Sequence, residues 1–333
     1  MPGRHMRLAA LVSIWLVLTV STHAEAATTR VDLGGLVLDV SDSWTAQVFH
    51  IVDQISQWDE YAHRQYIRWA DRTLKLDDRD REMLKRHGDL RRARGRGNGF
   101  EQSFLVDAPI QSAAREAIRG GLLRAEEATA EQEVLLHFSR RFEAIREPGL
   151  RSIDAFERRL TVKATRITPF VEKLRRFAQS TAPVIVPVFL VTNPEERSGG
   201  GGADGGRLVV EVQQSPDPLA MLLHESLHAL LTPHEAAIRQ AAESAGLPWE
   251  VMNEGIAYAM APGLTDDATD NDTLIDQLAR FMRAGRPFSD NYVRFYTAAG
   301  LFRPLLRSAL ARDETVSAFL PKAAARWRDV VGR

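Results

Sequence analysis

Residues 217–231 read DPLAMLLHESLHALL, and this stretch predicts one buried helix. Asp217 followed by Pro218 is a typical helix start, because aspartate caps the first turn and proline is tolerated at the first helical position. The residues that follow are apolar almost all round, which indicates a helix inside a core. The rest of the fold is therefore expected to pack around this segment.

Three polar residues, His224, Glu225 and His228, interrupt the apolar helix. The two histidines are four residues apart, so they lie on one face and can converge on one metal ion. Glu225 projects about 100° away from His224 and can reach a water bound to that ion. The alternative is a pair of structural core histidines, but burying these groups without a metal or a partner costs several kcal/mol. The spacing therefore predicts a metal site.

A third ligand is predicted in residues 251–260, VMNEGIAYAM, which form another apolar helical segment. Glu254 lies there, 26 residues after the second histidine, where an unpaired carboxylate would be costly. Glu250 and Glu243 are the spare candidates for this ligand. Asn253 is expected to contact the site from behind a ligand or from the substrate groove.

With these residues the chain resembles the gluzincin zinc metallopeptidases, which share a thermolysin-like catalytic core. In that group HExxH supplies two zinc ligands, and a glutamate on a following helix, often within Asn-Glu-(Gly/Ala), supplies the third. The resemblance covers about residues 184–261. It implies one Zn²⁺ per chain held by His224, His228 and Glu254, a peptide or protein substrate, and Glu225 as the general base.

The resemblance also implies that the strand before the HExxH helix, residues 208–213, lines the substrate groove. The chain departs from the thermolysin-like branch at Tyr258, because that branch has an aspartate there that orients a histidine.

A site of this kind usually has one more donor that stabilises the oxyanion. Tyr296 is the preferred candidate, and Tyr292, Tyr258 and His234 are the others. Tyr292 and Tyr296 are four residues apart on a predicted helix, so one face presents both. Each tyrosine can equally be a core aromatic residue.

Strands are predicted on both sides of a long helical region. Residues 29–40 alternate around two glycines and predict a hairpin or an edge strand. The β-branched runs 184–192 and 208–213 predict two more strands. The glycine-rich residues 198–206 between them are expected to be a flexible hairpin tip.

Residues 43–180 carry apolar residues at helical spacing and predict a helical region. We expect breaks at 91–99, a basic glycine-rich loop, and at 147–149, where Glu-Pro-Gly is a turn signal. The basic run 85–96 is expected to be a solvated helix end and loop.

After the HExxH helix, Thr232 and Glu235 predict a capping box that opens a helix ended by Gly246. Residues 265–273 form an acidic loop, which we expect to be a solvated linker because the EF-hand spacing is absent. The predicted fold class is mainly α (α+β), with a helical N-terminal region, a small sheet and a zincin-like helical catalytic core. The remaining helices are predicted at 274–284, 291–310 and 322–331.

The N-terminal residues 1–26 predict a cleaved signal peptide, with a basic start, a short apolar run and a small-x-small site at Ala24–Ala26. The mature protein is therefore expected to be periplasmic or secreted, without stable membrane association. The predicted domains are a mostly helical region at 27–182 and a metallopeptidase domain at 183–333.

Composition narrows the possible chemistry. The chain has no cysteine, which excludes thiolate zinc sites, iron–sulfur clusters and cysteine nucleophiles. The formal net charge of −1 does not favour nucleic acid as a partner. Two other functions are compatible with the sequence: a catalytically silent binding or scaffold protein with a structural metal site, and a non-peptidase zinc hydrolase acting on an amide or ester.

Overall fold

The structure is a computed structural model that describes residues 28–59, 62–95, 99–193, 201–204, 206–212, 218–260 and 290–331. The fold is mainly α with a small mixed sheet, so the predicted fold class is confirmed. Among these residues, no helix has the length and apolar character needed to span a membrane. The predicted signal peptide, the acidic loop 265–273 and the helix 274–284 lie outside the described residues.

Helices occupy most of the chain before the sheet. A π-helical turn, Ala70–Leu74, follows α2, and the rest are α-helices. Their bounds are α1 Trp44–Ser56, α2 Arg64–Trp69, α3 Asp78–Arg94, α4 Phe100–Phe104, α5 Ile110–Arg119, α6 Ala125–Arg141 and α7 Glu143–Phe177.

The second half contains the HExxH helix and the helices that follow it. A 3₁₀ turn, Thr232–His234, connects α8 to α9. The α-helices are α8 Pro218–Leu231, α9 Glu235–Ala245, α10 Trp249–Met260, α11 Asp290–Ala311 and α12 Val316–Val331.

The sheet has five strands in the order β1-β2-β3-β5-β4 within the described residues. Pairing is antiparallel at the two outer pairs and parallel at β2–β3 and β3–β5. The hairpin predicted at 29–40 is confirmed by β1 and β2. The strands are β1 Thr28–Asp32, β2 Leu36–Ser41, β3 Val184–Val191, β4 Gly201–Asp204 and β5 Arg207–Glu211.

The glycine-rich segment differs from its prediction as a hairpin tip. Residues 201–204 form β4, which pairs antiparallel with β5 at the edge of the sheet. Because β5 lies between β3 and β4 and runs parallel to β3, the chain crosses over before it enters β5. The prediction failed because local composition does not reveal which strand another strand will pair with.

The sheet also connects the two predicted domains. β2 pairs with β3 from Leu36↔Val184 to Ser41↔Phe189. Residues 27–182 and 183–333 therefore contribute strands to one sheet, and part of the hydrophobic core below it is built from both.

The turn predicted at 147–149 is wrong, because α7 continues through Pro148 and Gly149. Gly149 packs against the end of β3: a Cβ at this position would lie 2.8 Å from Thr192 Oγ1. This close tertiary packing outweighs the local helix-breaking signal. A proline also lies inside the last helix: α12 begins at Val316, before the predicted start at 322, and continues through Pro321.

The basic run 85–96 differs from its prediction at Arg91, whereas Lys85, Arg86 and Arg92 are exposed as expected. The helix α3 extends to Arg94, and the Arg91 side chain is only 1% exposed, paired with Asp53 and Glu101. Arg91 lies over the ring of Trp58, 4.2 Å from its centroid. The expectation of a solvated helix end is therefore wrong at this position, because ion pairs and an aromatic face compensate the buried guanidinium.

The HExxH helix is buried, as predicted, and it joins two cores. Leu219, Leu222 and Leu223 are fully buried against the sheet and α7. One turn further on, Leu227, Leu230 and Leu231 pack into the core formed by the C-terminal helices. The apolar character on all sides is explained by this position between the sheet and the helical bundle.

The capping box predicted after this helix is wrong. The Thr232 hydroxyl instead donates to the carbonyl of His228 at 3.0 Å, within the 3₁₀ turn. Helix α9 starts at Glu235 with His234 as its N-cap, and Gly246 ends it with a φ of 68°. The predicted end of this helix is thus confirmed. At its start the 3₁₀ turn leads directly into the helix, and no side chain caps its first turn.

Candidate metal centre

The two histidines of α8 face each other. His224 Nε2 lies 3.4 Å from His228 Nε2, and their rings are nearly perpendicular at 88°. The His224 side chain is 5% exposed and that of His228 is 17% exposed. The four-residue spacing therefore brings the Nε2 atoms of both imidazoles close together on one face of the helix, as predicted.

Glu254 reaches the same point from α10. Its Oε2 lies 3.2 Å from His224 Nε2, and its Oε1 lies 3.5 Å from His228 Nε2. The three residues offer ligand atoms that all lie within 4.8 Å of one another, and they form the only such group of possible metal ligands in the described part of the chain. The structure thus brings together the three residues that the sequence nominates as ligands.

The distances are compatible with one metal ion shared by the three residues. A Zn²⁺ bound at about 2.05 Å in tetrahedral geometry separates its ligand atoms by about 3.3 Å. The observed separations are 3.2, 3.4 and 3.5 Å. The donor set of two imidazoles and one carboxylate is also a common catalytic zinc set.

The electrostatics of the site follow from burial and proximity. Burial by itself raises the pKa of Glu254, but hydrogen bonds with His224 and His228 outweigh this effect and lower the pKa to about 2. Burial lowers the pKa of His228, and the hydrogen bond and charge of Glu254 outweigh this and leave it above its usual value. The Glu254 carboxylate is therefore ionised at neutral pH, as a metal ligand would need to be.

Glu225 is adjacent in sequence but is not part of the ligand group. Burial raises the pKa of its carboxyl, and the neighbouring charge of His224 offsets part of that effect. A carboxylate with a pKa moved toward neutrality suits general-base chemistry better than an ordinary surface glutamate does.

Each ligand imidazole has a different partner behind it. Asn253, next to Glu254 on α10, lies with its side-chain amide 3.1 Å from His228 Nδ1. His224 instead has the ring of Tyr258 against it, with the ring centroids 4.1 Å apart. The sequence suggested both Asn253 and Tyr258 as residues near the site, and the structure places both against ligands.

The predicted oxyanion donors lie in different surroundings. The Tyr296 ring packs against the Tyr258 ring, with 5.0 Å between the ring centroids. His234 Nε2 contacts the carbonyl of Ala178 at 2.7 Å, so its ring holds the end of α7. The side chain of Tyr292 lies outside the described residues.

The spare ligand candidates are not at the site. Glu243 and Glu250 are both exposed on the outside of α9 and α10, and neither belongs to the ligand group.

β5, the strand expected to line the substrate groove, is an interior strand of the sheet and lies next to the edge strand β4. β5 is paired on both sides, by β3 and by β4, so the edge nearest α8 is formed by β4. The resemblance implied residues 208–213 for this role. The inserted edge strand changes that assignment, because an interior strand has no unpaired backbone edge to offer.

Sequence reasoning missed a second buried polar cluster at the carboxyl end of β5. The Glu211 carboxylate accepts a hydrogen bond from Tyr66 at 2.7 Å and another from Asn193 at 2.8 Å, and it lies 2.9 Å from His50 Nε2. A lone acid within the apolar run LVVEV was the available signal. These contacts tie helices α1 and α2 to the strand that leads into the HExxH helix.

We compared the chain with family models, with curated proteins and with solved structures, and none of the three comparisons gave a match.

Proposed function

We propose that this protein is an exported zinc-dependent metallopeptidase that hydrolyses peptide bonds. The observation that supports this most strongly is the spacing of the His224, His228 and Glu254 ligand atoms, which matches the edges of a tetrahedron around one zinc ion. A second carboxylate, Glu225, is half-buried beside this group and interacts electrostatically with all three of its residues, so it is available as a base.

His224, His228 and Glu254 would hold one Zn²⁺ per chain. When bound, zinc supplies Lewis acidity toward a carbonyl and lowers the pKa of water to about 7. Glu225 takes a proton from the attacking water and returns it to the departing amine. Burial raises the pKa of Glu225 above that of an ordinary glutamate, which makes it a stronger base for accepting the proton.

The edge of the sheet supports a peptide as the substrate class. Strand β4 pairs with β5 on one side, and within the described residues no strand pairs with its other side. α8 packs against both of these strands. An extended peptide can add to such an edge through backbone hydrogen bonds. Export is part of the proposal through the signal peptide predicted at residues 1–26.

The test is metal content followed by peptide hydrolysis. Elemental mass spectrometry of the purified mature protein should find about one zinc per chain, and His224→Ala or His228→Ala should lose it. Glu225→Gln should keep the zinc and lose hydrolysis of a peptide library. No zinc in the wild type after metal is added back would refute the metal centre.

The same experiment separates the two other functions. Zinc without hydrolysis of any peptide, ester or amide probe would indicate a structural site in a scaffold protein. Hydrolysis of small amides or esters alone would indicate a non-peptidase hydrolase. We favour catalysis because a structural site has no need of Glu225, whose burial has an energetic cost.

A further inference from the structure

Three aromatic rings from three helices form a column that ends on a metal ligand. The Tyr296 ring, from α11, lies 5.0 Å from the Tyr258 ring, from α10, at an interplanar angle of 38°. The Tyr258 ring lies 4.1 Å from the His224 imidazole, from α8, at 35°. We call this set, Tyr296–Tyr258–His224, the ring column.

The two ligand histidines are held in different ways. The Nδ1 of His228 is in contact with the Asn253 amide at 3.1 Å, and such a hydrogen bond fixes both the tautomer and the plane of a ligand imidazole. The Nδ1 of His224 is buried, and among the described residues it has no hydrogen-bond partner. The orientation of the His224 ring must therefore come from another contact.

The position of Tyr258 is itself fixed by close helix packing. One turn before the column, Gly255 on α10 meets α11 so closely that a Cβ would lie 2.5 Å from Ala298 Cβ. Glu254 and Tyr258 are four residues apart, so they lie on the same face of α10. The helix that delivers the third ligand thus also delivers the ring that contacts His224.

We propose that Tyr258 is a positioning residue whose ring, packed at a tilt against the His224 imidazole, holds that imidazole in the orientation that binds the metal. The inference rests on the proposed metal centre and concerns how one of its ligands is oriented. The ring replaces the hydrogen bond that usually orients a metal-bound histidine. Tyr296 packs against the Tyr258 ring, with 5.0 Å between the ring centroids.

If Tyr258 acts in this way, zinc affinity depends on its aromatic ring and not on its hydroxyl. Tyr258→Phe keeps the ring and is expected to bind zinc within about twofold of the wild type. Tyr258→Leu and Tyr258→Met remove the ring, and zinc affinity is expected to fall about tenfold, at the lower end of the effect of removing an orienting contact behind a ligand. Methionine is longer and more flexible than leucine at a similar volume, so the two variants fill the space of the ring in different ways and give two tests of its loss in a folded protein.

The measurements are zinc affinity, by competition with a chromophoric chelator, and the visible absorption spectrum of the Co²⁺-loaded protein. The spectrum reports ligand geometry, which loss of stability alone does not change. Phe319→Leu is the matched control, because Phe319 is fully buried in the same core but lies on α12, which carries neither a proposed ligand nor a ring of the column. It should lower the melting temperature and leave zinc affinity and the Co²⁺ spectrum unchanged.

The outcomes separate this inference from the proposed function. Wild-type zinc affinity and an unchanged Co²⁺ spectrum in the ringless variants would overturn the positioning role while leaving the metal centre in place. A loss in Tyr258→Phe as large as in Tyr258→Leu would also overturn it, since the hydroxyl would then be the important group. A wild-type protein that binds neither metal would overturn both the centre and this inference, whereas failure to hydrolyse peptides would affect the proposed function alone.

Discussion

Gly255→Ala tests whether the contact between α10 and α11 sets the geometry of the metal centre. Gly255 follows Glu254 directly, and the added methyl would lie 2.5 Å from Ala298 Cβ and 3.1 Å from Phe302 Cε2. The Ala298 methyl is attached to the backbone and cannot rotate away. The two helices must therefore move apart, and Glu254 must move with α10.

The size of the effect follows from these distances. Ordinary carbon–carbon contacts are about 3.5–4.0 Å, so relief of the clash requires a separation of about 1 Å. Overpacking of this kind costs about 1–3 kcal/mol, and the better helix propensity of alanine returns about 1 kcal/mol. Metal–ligand distances tolerate only about 0.2 Å, so zinc affinity should fall about tenfold or more while stability falls only modestly.

The assay is zinc affinity by chelator competition, with thermal unfolding in the presence of chelator as the measure of stability. Adding Ala298→Gly to Gly255→Ala removes the opposing methyl and should restore zinc affinity, although a second helix glycine costs about 1 kcal/mol of stability. If Gly255→Ala binds zinc as tightly as the wild type, or if the double variant fails to recover affinity, the close approach of α10 and α11 does not control the site.

Three other predictions concern individual residues. Glu254→Ala should weaken zinc binding by about 100-fold or more, while Glu243→Ala, an exposed control, should not change it; equal affinities would refute the ligand assignment. Burial lowers the pKa of His87, but the charge of Glu131 raises it from 6.5 to about 9. Because the pKa of His87 is higher in the folded state than in the unfolded state, protonation of His87 contributes about 3 kcal/mol to the free energy of unfolding. This contribution is complete below pH 6.5 and is lost as the pH rises through 9. Urea unfolding that shows no loss of stability between pH 7 and 10 would contradict this prediction. Tyr296→Phe should lower kcat about 100-fold at unchanged zinc affinity, and an unchanged kcat would exclude its hydroxyl as the oxyanion donor.

The buried polar clusters explain why the helical region cannot be treated as a separate attachment. Glu211, at the end of β5, is 1% exposed and is satisfied by groups from α1, α2 and the end of β3. A buried carboxylate that loses such donors is destabilising, because its desolvation is no longer compensated. The region before residue 183 therefore helps to hold the strand from which the HExxH helix continues.

Local patterns predicted the elements that carry the site. The apolar surroundings of His224 and His228 indicate a buried helix, and the four-residue spacing places both on one face in any α-helix. Glu254 could be nominated because a carboxylate in an apolar helical run needs a partner. These inferences depend on periodicity and burial, which are properties of short segments.

The local signals failed where tertiary packing opposed them. Pro148 and Gly149 indicate a turn, yet α7 continues through them because the glycine fits against Thr192. The glycine-rich residues near 201–204 indicate a flexible tip, yet they form the edge strand β4 beside β5. In both cases the competing interaction is made with a segment that is distant in sequence.

The sequence by itself determined the identity of the candidate ligands and the helices that carry them, because helical spacing is fixed by backbone geometry. The tertiary structure alone decided how far apart the ligand atoms lie, which strand forms the edge of the sheet, and which group contacts the back of each imidazole. Those quantities depend on the relative positions of α8, α10 and α11. Such positions are set by close packing, as at Gly255 and Ala298, and close packing of distant segments has no signature in a local pattern.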